Sequence, residues 1–178
     1  ALRPVFEEAF AAVFDASVEN DDFNRLVLAA RIPVHQIVVL RAYAKYMRQT
    51  GFALTQAFIE STLVAHAAIA RQLVELFEMR FDPGSAGGHA GKAGDSAALV
   101  SQVSAIEASL EQVANLAGDR VVGQYLGLIQ ATTRTNFWRR DASGKRREFL
   151  SFKFDSRSVP DLPEPKPMFE IFVYATRF

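Results

Sequence analysis

The chain has 178 residues, 20 basic and 20 acidic side chains, and 49% apolar residues. That length and apolar share suffice for a buried core and exclude an acidic disordered tail, while a net charge of zero speaks against a dedicated nucleic-acid binder. Cysteine is absent, which excludes disulfides, thiolate metal sites and cysteine nucleophiles.

The first eighty residues read as helices. Pro4 suits a first helical position, where its missing N–H costs nothing. Phe6, Phe10, Val13 and Phe14 then recur on one face at helical spacing. Asn20, Asp21 and Asp22 signal the start of a short helix through Phe23, Leu26, Val27 and Ala30. Pro33 opens the next, in which Val34, Ile37, Val38, Arg41 and Lys45 mix apolar and basic positions beside Tyr43 and Tyr46; Gly51 stops it. Thr55 can cap one long helix reaching Phe81, with Phe58, Ile59, Leu63, Ile69, Leu73, Leu76 and Phe77 buried.

Residues 82–95 are rich in Gly and Ala and read as a flexible linker, the expected first site of proteolysis. Helical spacing resumes at Leu99, Val103, Ile106, Leu110 and Val113. Gly118 would end that helix and Asp119 cap another, with Val122, Leu126, Ile129 and Thr133 on one face down to Phe137 and Trp138. The period then changes. Asp141–Gly144 is a turn signal. Leu150, Phe152 and Phe154 alternate with polar residues as in a strand, and a second strand runs over Met168–Ala175 after a connection containing Pro160, Pro163, Pro165 and Pro167. These two strands should pair antiparallel, because a short connection without a helix does not make a parallel crossover. Leu150, Phe152 and Phe154 are expected to share a face with Phe169, Ile171 and Val173. The reading is a mainly α chain: a helical bundle over 1–81, the linker, a helical hairpin over 96–140, and an antiparallel β-strand pair over 141–178, making the whole α+β. No internal repeat is evident.

Candidate chemistry is sparse. A phosphate-loop reading of Gly91-Lys92 fails, since Ala86 stands where that motif needs Gly and Ala93 where it needs Ser or Thr. No Gly-x-Gly-x-x-Gly fingerprint occurs. His35, His66 and His89 lack a second ligand at metal spacing, and no nucleophile elbow is present. No catalytic, cofactor-binding or metal residue is therefore assigned. Gly123 and Gly127, four apart on one helix, point to close packing of a neighbour. From Arg134 to Arg157 eight basic residues (Arg134, Arg139, Arg140, Lys145, Arg146, Arg147, Lys153 and Arg157) face three acidic ones (Asp141, Glu148 and Asp155). The favoured reading is a solvated turn. The other is a surface for an anion, an acidic partner or nucleic acid, on a free-standing helical binding module. The longest apolar runs, such as Ile37–Leu40, are far shorter than the about 20 residues of a membrane span, and the N-terminus shows no signal-peptide pattern. Neither a membrane nor a nucleic acid is expected as partner.

Longer runs carry a resemblance. Leu150-Ser-Phe-Lys-Phe-Asp-Ser-Arg157, Val159-Pro-Asp-Leu-Pro163 and Phe169-Glu-Ile-Phe-Val-Tyr174 resemble the large bacterial NAD-specific glutamate dehydrogenases. Arg134-Thr-Asn-Phe137, Leu40-Arg-Ala-Tyr-Ala-Lys-Tyr-Met-Arg-Gln49 and Arg80-Phe-Asp-Pro83 fit as well, so the resemblance covers all but the linker. It implies a parent enzyme that oxidises L-glutamate with NAD to 2-oxoglutarate and ammonia, with a lysine assisting. The helices would precede the catalytic core, and the strands would open the substrate domain. The chain lacks an initiating Met and stops at Arg177-Phe178 inside a strand, and so reads as an excised piece. The family's Gly-rich lysine segment and NAD domain are not in it. Lys45, Lys92, Lys145, Lys153 and Lys166 match no such segment, so no catalytic residue carries over. NAD is expected in the parent and no cofactor in this chain, which should be inactive alone. A cytoplasmic homo-oligomer, joined to the remainder of the parent chain, is the implied setting.

Overall fold

The computed structural model describes residues 3–84, 97–111, 113 and 115–175. Among them the chain forms α1 (Arg3–Phe14), a 3₁₀ turn (Asp22–Arg25) running into the one-turn α2 (Leu26–Ala29), and α3 (Val34–Gln49). Then come α4 (Gln56–Ala65), α5 (Ala67–Phe81), α6 (Ala97–Leu110) and α7 (Leu116–Ala131). The strands are β1 (Thr132–Thr135), β2 (Phe149–Asp155) and β3 (Phe169–Ala175), in one antiparallel sheet of order β1-β2-β3. The fold is mainly α with a small β part, as its periodicities predict. The expected strand pair has a third member.

Local chemistry explains most boundaries. Pro33 stands at the cap of α3. Gly51 closes that helix with φ +86°, a left-handed conformation that glycine adopts without strain. Its N–H bonds the Arg48 carbonyl at 3.2 Å and the Phe52 N–H reaches Met47 at 2.9 Å, so the last carbonyls are satisfied. The Thr55 side chain accepts from the Phe58 N–H at 3.2 Å and caps α4.

Four expectations change. The single helix over 55–81 is two helices, with His66 (φ −111°, ψ 51°) at the junction. The break lets α4 pack on the 3₁₀ turn while α5 packs on α6. Asn115, not Asp119, caps α7, accepting from the Gly118 N–H at 2.6 Å, so Gly118 lies inside the first turn. That helix stops at Ala131 rather than near Trp138. Thr132 turns extended and pairs with Phe154, and after a bulge Arg134 and Thr135 pair with Lys153 and Phe152. Finally, the Phe ladder of α1 does not enter the core. Phe6, Phe10 and Phe14 are exposed and stack on one another, while Ala9 is buried.

The face of β3 is also reversed. Leu150, Phe152 and Phe154 lie opposite Tyr174, Phe172 and Glu170, and directly opposed residues share a face. Phe169, Ile171 and Val173 point outward. Glu170 is tolerated inward because the Tyr46 hydroxyl donates to it at 2.5 Å. The linker reading of 82–95, with His89 and Lys92, falls almost wholly outside the described residues.

One core joins helices and sheet. Tyr43 of α3 stacks on Phe152 of β2 with ring centroids 4.3 Å apart and planes 2° off parallel, and Tyr46 stacks on Phe154 at 4.4 Å. Phe77 of α5 meets Tyr43, Phe152 and Phe137 edge-on. The sheet ribbon thus docks on the chain's own helices.

Candidate functional site

Two polar constellations stand out among the described residues. The first ties the segment before α2 to α3 and β3. Arg41, fully buried, donates from Nε and Nη2 to the two carboxylate oxygens of Asp21 at 2.6 and 2.7 Å, and from Nη2 to Asn24 at 3.0 Å. Its guanidinium also faces the Phe23 ring at 5.6 Å. Burial alone would weaken the charge, but the bonds to Asp21 outweigh it and hold Arg41 protonated. Beside it, Glu19 accepts from Lys45 at 2.7 Å and from the Tyr174 hydroxyl at 2.9 Å. Each cation of this group has a carboxylate partner, although Arg41 Nη1 is buried without a hydrogen-bond partner among the described residues, and the group reads as a strut.

The second is a cleft of about 390 Å³ between α1, the start of α3, and the connection from β1 to β2. His35 and Val34 form one wall, Phe137 and Arg146 another, and Glu8, Arg147 and Glu148 stand at its rim. The connection is shaped by Asp141, whose carboxylate accepts from the Ser143 hydroxyl at 2.7 Å and from the Ser143 and Lys145 N–H groups at 2.8 and 3.0 Å. Those bonds keep Asp141 below its usual carboxylate range, the Ser143 hydroxyl contributing most. Arg140 and Arg146 face each other across this turn as an isolated bridge. Asn136 extends the ladder with its side chain, donating to the Phe149 carbonyl at 2.9 Å and accepting from the Ser151 N–H at 2.7 Å.

The Arg146 guanidinium lies over the Phe137 ring at 4.9 Å and donates once, to the Phe137 carbonyl at 3.4 Å. The His35 ring sits 6.4 Å from the same Phe137. Its pKa is lowered to about 4, by burial first and then by Arg146 and Arg140. Among the described residues none of the eight basic side chains of 134–157 forms an ion pair. Lys153 instead lies over Phe169 at 3.9 Å.

The structure therefore brings part of the basic stretch together with His35, which the sequence leaves as an isolated histidine. His66 sits apart, at the α4–α5 junction. No group of three or more His, Asp or Glu that could hold a metal occurs among the described residues, and none of their helices is long and apolar enough to cross a membrane. The Asp21–Arg41 strut is invisible to periodicity, although Arg41 and Lys45 at apolar-face spacing on α3 are its signal.

Known proteins resemble both parts of the chain. Residues 18–83 match the family model described as glutamate dehydrogenase, helical motif 3. Residues 105–178 match the model described as bacterial NAD-glutamate dehydrogenase, catalytic domain. The chain is 41% identical to an NAD-specific glutamate dehydrogenase of Pseudomonas aeruginosa over 99% of its length, covering 11% of that protein. It is 38% identical to that of Halomonas elongata over 99% of its length and 40% identical to that of Mycobacterium tuberculosis over 97%, covering 10% of each. The chain spans about a tenth of the length of the curated relatives it matches. Its helical part is thus similar to a helical motif of glutamate dehydrogenases, its sheet-bearing part to the catalytic domain of the bacterial NAD-dependent ones, and the whole chain to a tenth of these NAD-specific enzymes.

Proposed function

We propose that the protein containing this stretch oxidises L-glutamate with NAD and water to 2-oxoglutarate, ammonium, NADH and a proton, and that the stretch itself is a non-catalytic joint within it. In this reading the helices connect upstream regions to the catalytic core, and the sheet opens the substrate domain. NAD and glutamate bind elsewhere in the parent, a cytoplasmic homo-oligomer. The observation that carries the reading is the aromatic seam. Tyr43 and Tyr46 lie in the part matched to the helical motif, and Phe152 and Phe154 in the part matched to the catalytic domain. They stack at 4.3 and 4.4 Å in one core. Such a seam makes the two matched segments a single packed unit.

Two measurements test this. Calorimetric titration of the 178-residue chain with NAD should give no saturable heat; micromolar binding would place cofactor residues inside the stretch. A chimera of the Pseudomonas aeruginosa relative carrying this stretch in place of its own should retain glutamate-dependent NADH formation. Tyr43→Ala in that chimera should reduce the rate by loosening the seam. An unaffected rate would remove the role of a joint.

A further inference from the structure

We propose that the cleft between α1, the start of α3 and the β1–β2 connection binds a small organic monocarboxylate, its carboxylate held by Arg146 and its apolar body set beside Phe137. A guanidinium carries five N–H donors, and only one from Arg146 is used among the described residues. The Phe137 ring backs the guanidinium at 4.9 Å, which leaves the remaining donors for a ligand in the cleft. Arg146 is half-buried, and neither it nor Arg140 across the turn forms an ion pair with a described residue. Arg146 and Arg140 stand at opposed positions of that bridge and act on one another as like charges, which a bound anion would offset. On the same wall His35 is held neutral by burial first and then by the charges of Arg146 and Arg140.

The size and walls decide the rest of the ligand. A volume of about 390 Å³ exceeds that of a bare ion, and Val34, Val38 and Phe137 give it apolar sides. Glu8 of α1 and Glu148 stand at the same cleft, and Glu8 and Glu78 act on Arg146 from α1 and α5. Those carboxylates repel a second negative charge, which favours a monoanion over a phosphate dianion. The proposal does not rest on where the parent binds glutamate or NAD.

Trp138 packs edge-on against Phe137 at 5.1 Å and is the only Trp of the chain, so its fluorescence reports on the cleft. The 178-residue chain is titrated with benzoate, with the neutral isostere benzamide, and with phenyl phosphate. Benzoate should give a saturable change in Trp138 emission, and benzamide and phenyl phosphate should bind about tenfold more weakly or worse. Arg146→Gln, which keeps most of the stem, should weaken benzoate about tenfold while far-UV circular dichroism is unchanged. Arg157→Gln, outside the cleft, should leave it unaltered. Absence of saturation with benzoate, equal binding of benzamide, phenyl phosphate binding as tightly as benzoate, or undiminished binding by Arg146→Gln would each overturn the assignment.

Discussion

Gly123 and Gly127 lie one turn apart on α7, and adding one methyl group separates their roles. A Cβ at Gly127 would overlap the Pro160 ring, whereas one at Gly123 meets nothing within 4 Å. Gly127→Ala should cost about 1–3 kcal/mol of stability by overpacking, while Gly123→Ala should be neutral or stabilise by up to about 1 kcal/mol; urea unfolding checks both. Asp21→Ala strands the buried Arg41 guanidinium and should cost about 3–5 kcal/mol by the same measurement. His35 gives a pH prediction. Its folded pKa of about 4 lies below the ordinary 6.5, so on acidification the unfolded chain takes the proton first. Its contribution is fully present above pH 6.5 and is lost as the pH falls towards 4. Glu78, raised chiefly by burial, works in the opposite sense. The comparison is therefore between wild type and His35→Gln, and the variant should lose less melting temperature across that window. Caps such as Thr55 and the Gly51 turn are legible in the sequence because their chemistry is local. Asn136 and the Asp21–Arg41 pair are not, because their partners are 13 to 20 residues away.

Elements obey the same distinction. The alternation in β2 marks a strand and its inward face, Leu150, Phe152 and Phe154, correctly. In β3 both alternating sets are apolar enough to be buried, so periodicity cannot choose between them. The choice is made by hydroxyls. Tyr174 reaches Glu19 at 2.9 Å and Tyr46 reaches Glu170, which fixes the even-numbered set inward. Phe172→Ala should thus cost about 3–5 kcal/mol, and Ile171→Thr, at a position 72% exposed, within about 0.5 kcal/mol of nothing. Thermal melts of the two variants read this directly, and a reversed ranking would mean a slipped register. The short β1 carries no such signal. Its four residues, three of them Thr, fit the helical face of α7 until Thr132 bonds Leu128, Tyr43 and β2 instead. The break at His66 is equally silent, since no Gly or Pro marks it.

At the scale of the molecule, helices and sheet share one core, so they should unfold together. Urea transitions followed by Trp138 fluorescence and by helical circular dichroism should coincide, and Tyr43→Ala should move both midpoints down by the same amount. Separate midpoints would mean that the sheet detaches first. The likeness to glutamate dehydrogenases is legible in the sequence as long runs, whereas the cleft is not, because its walls come from α1, α3 and the β1–β2 connection and meet only on folding. The passage from α7 to β1 has a mechanical meaning. Thr132 is both the last cap of the helix and the first residue of the strand, and Arg80 fastens it by donating to the Gln130 and Thr132 carbonyls at 3.1 and 3.4 Å. No loop lies between them to absorb a rotation. A twist of α7 about its own axis is therefore handed to the sheet as torque, and the molecule behaves at that joint as a lever with no slack.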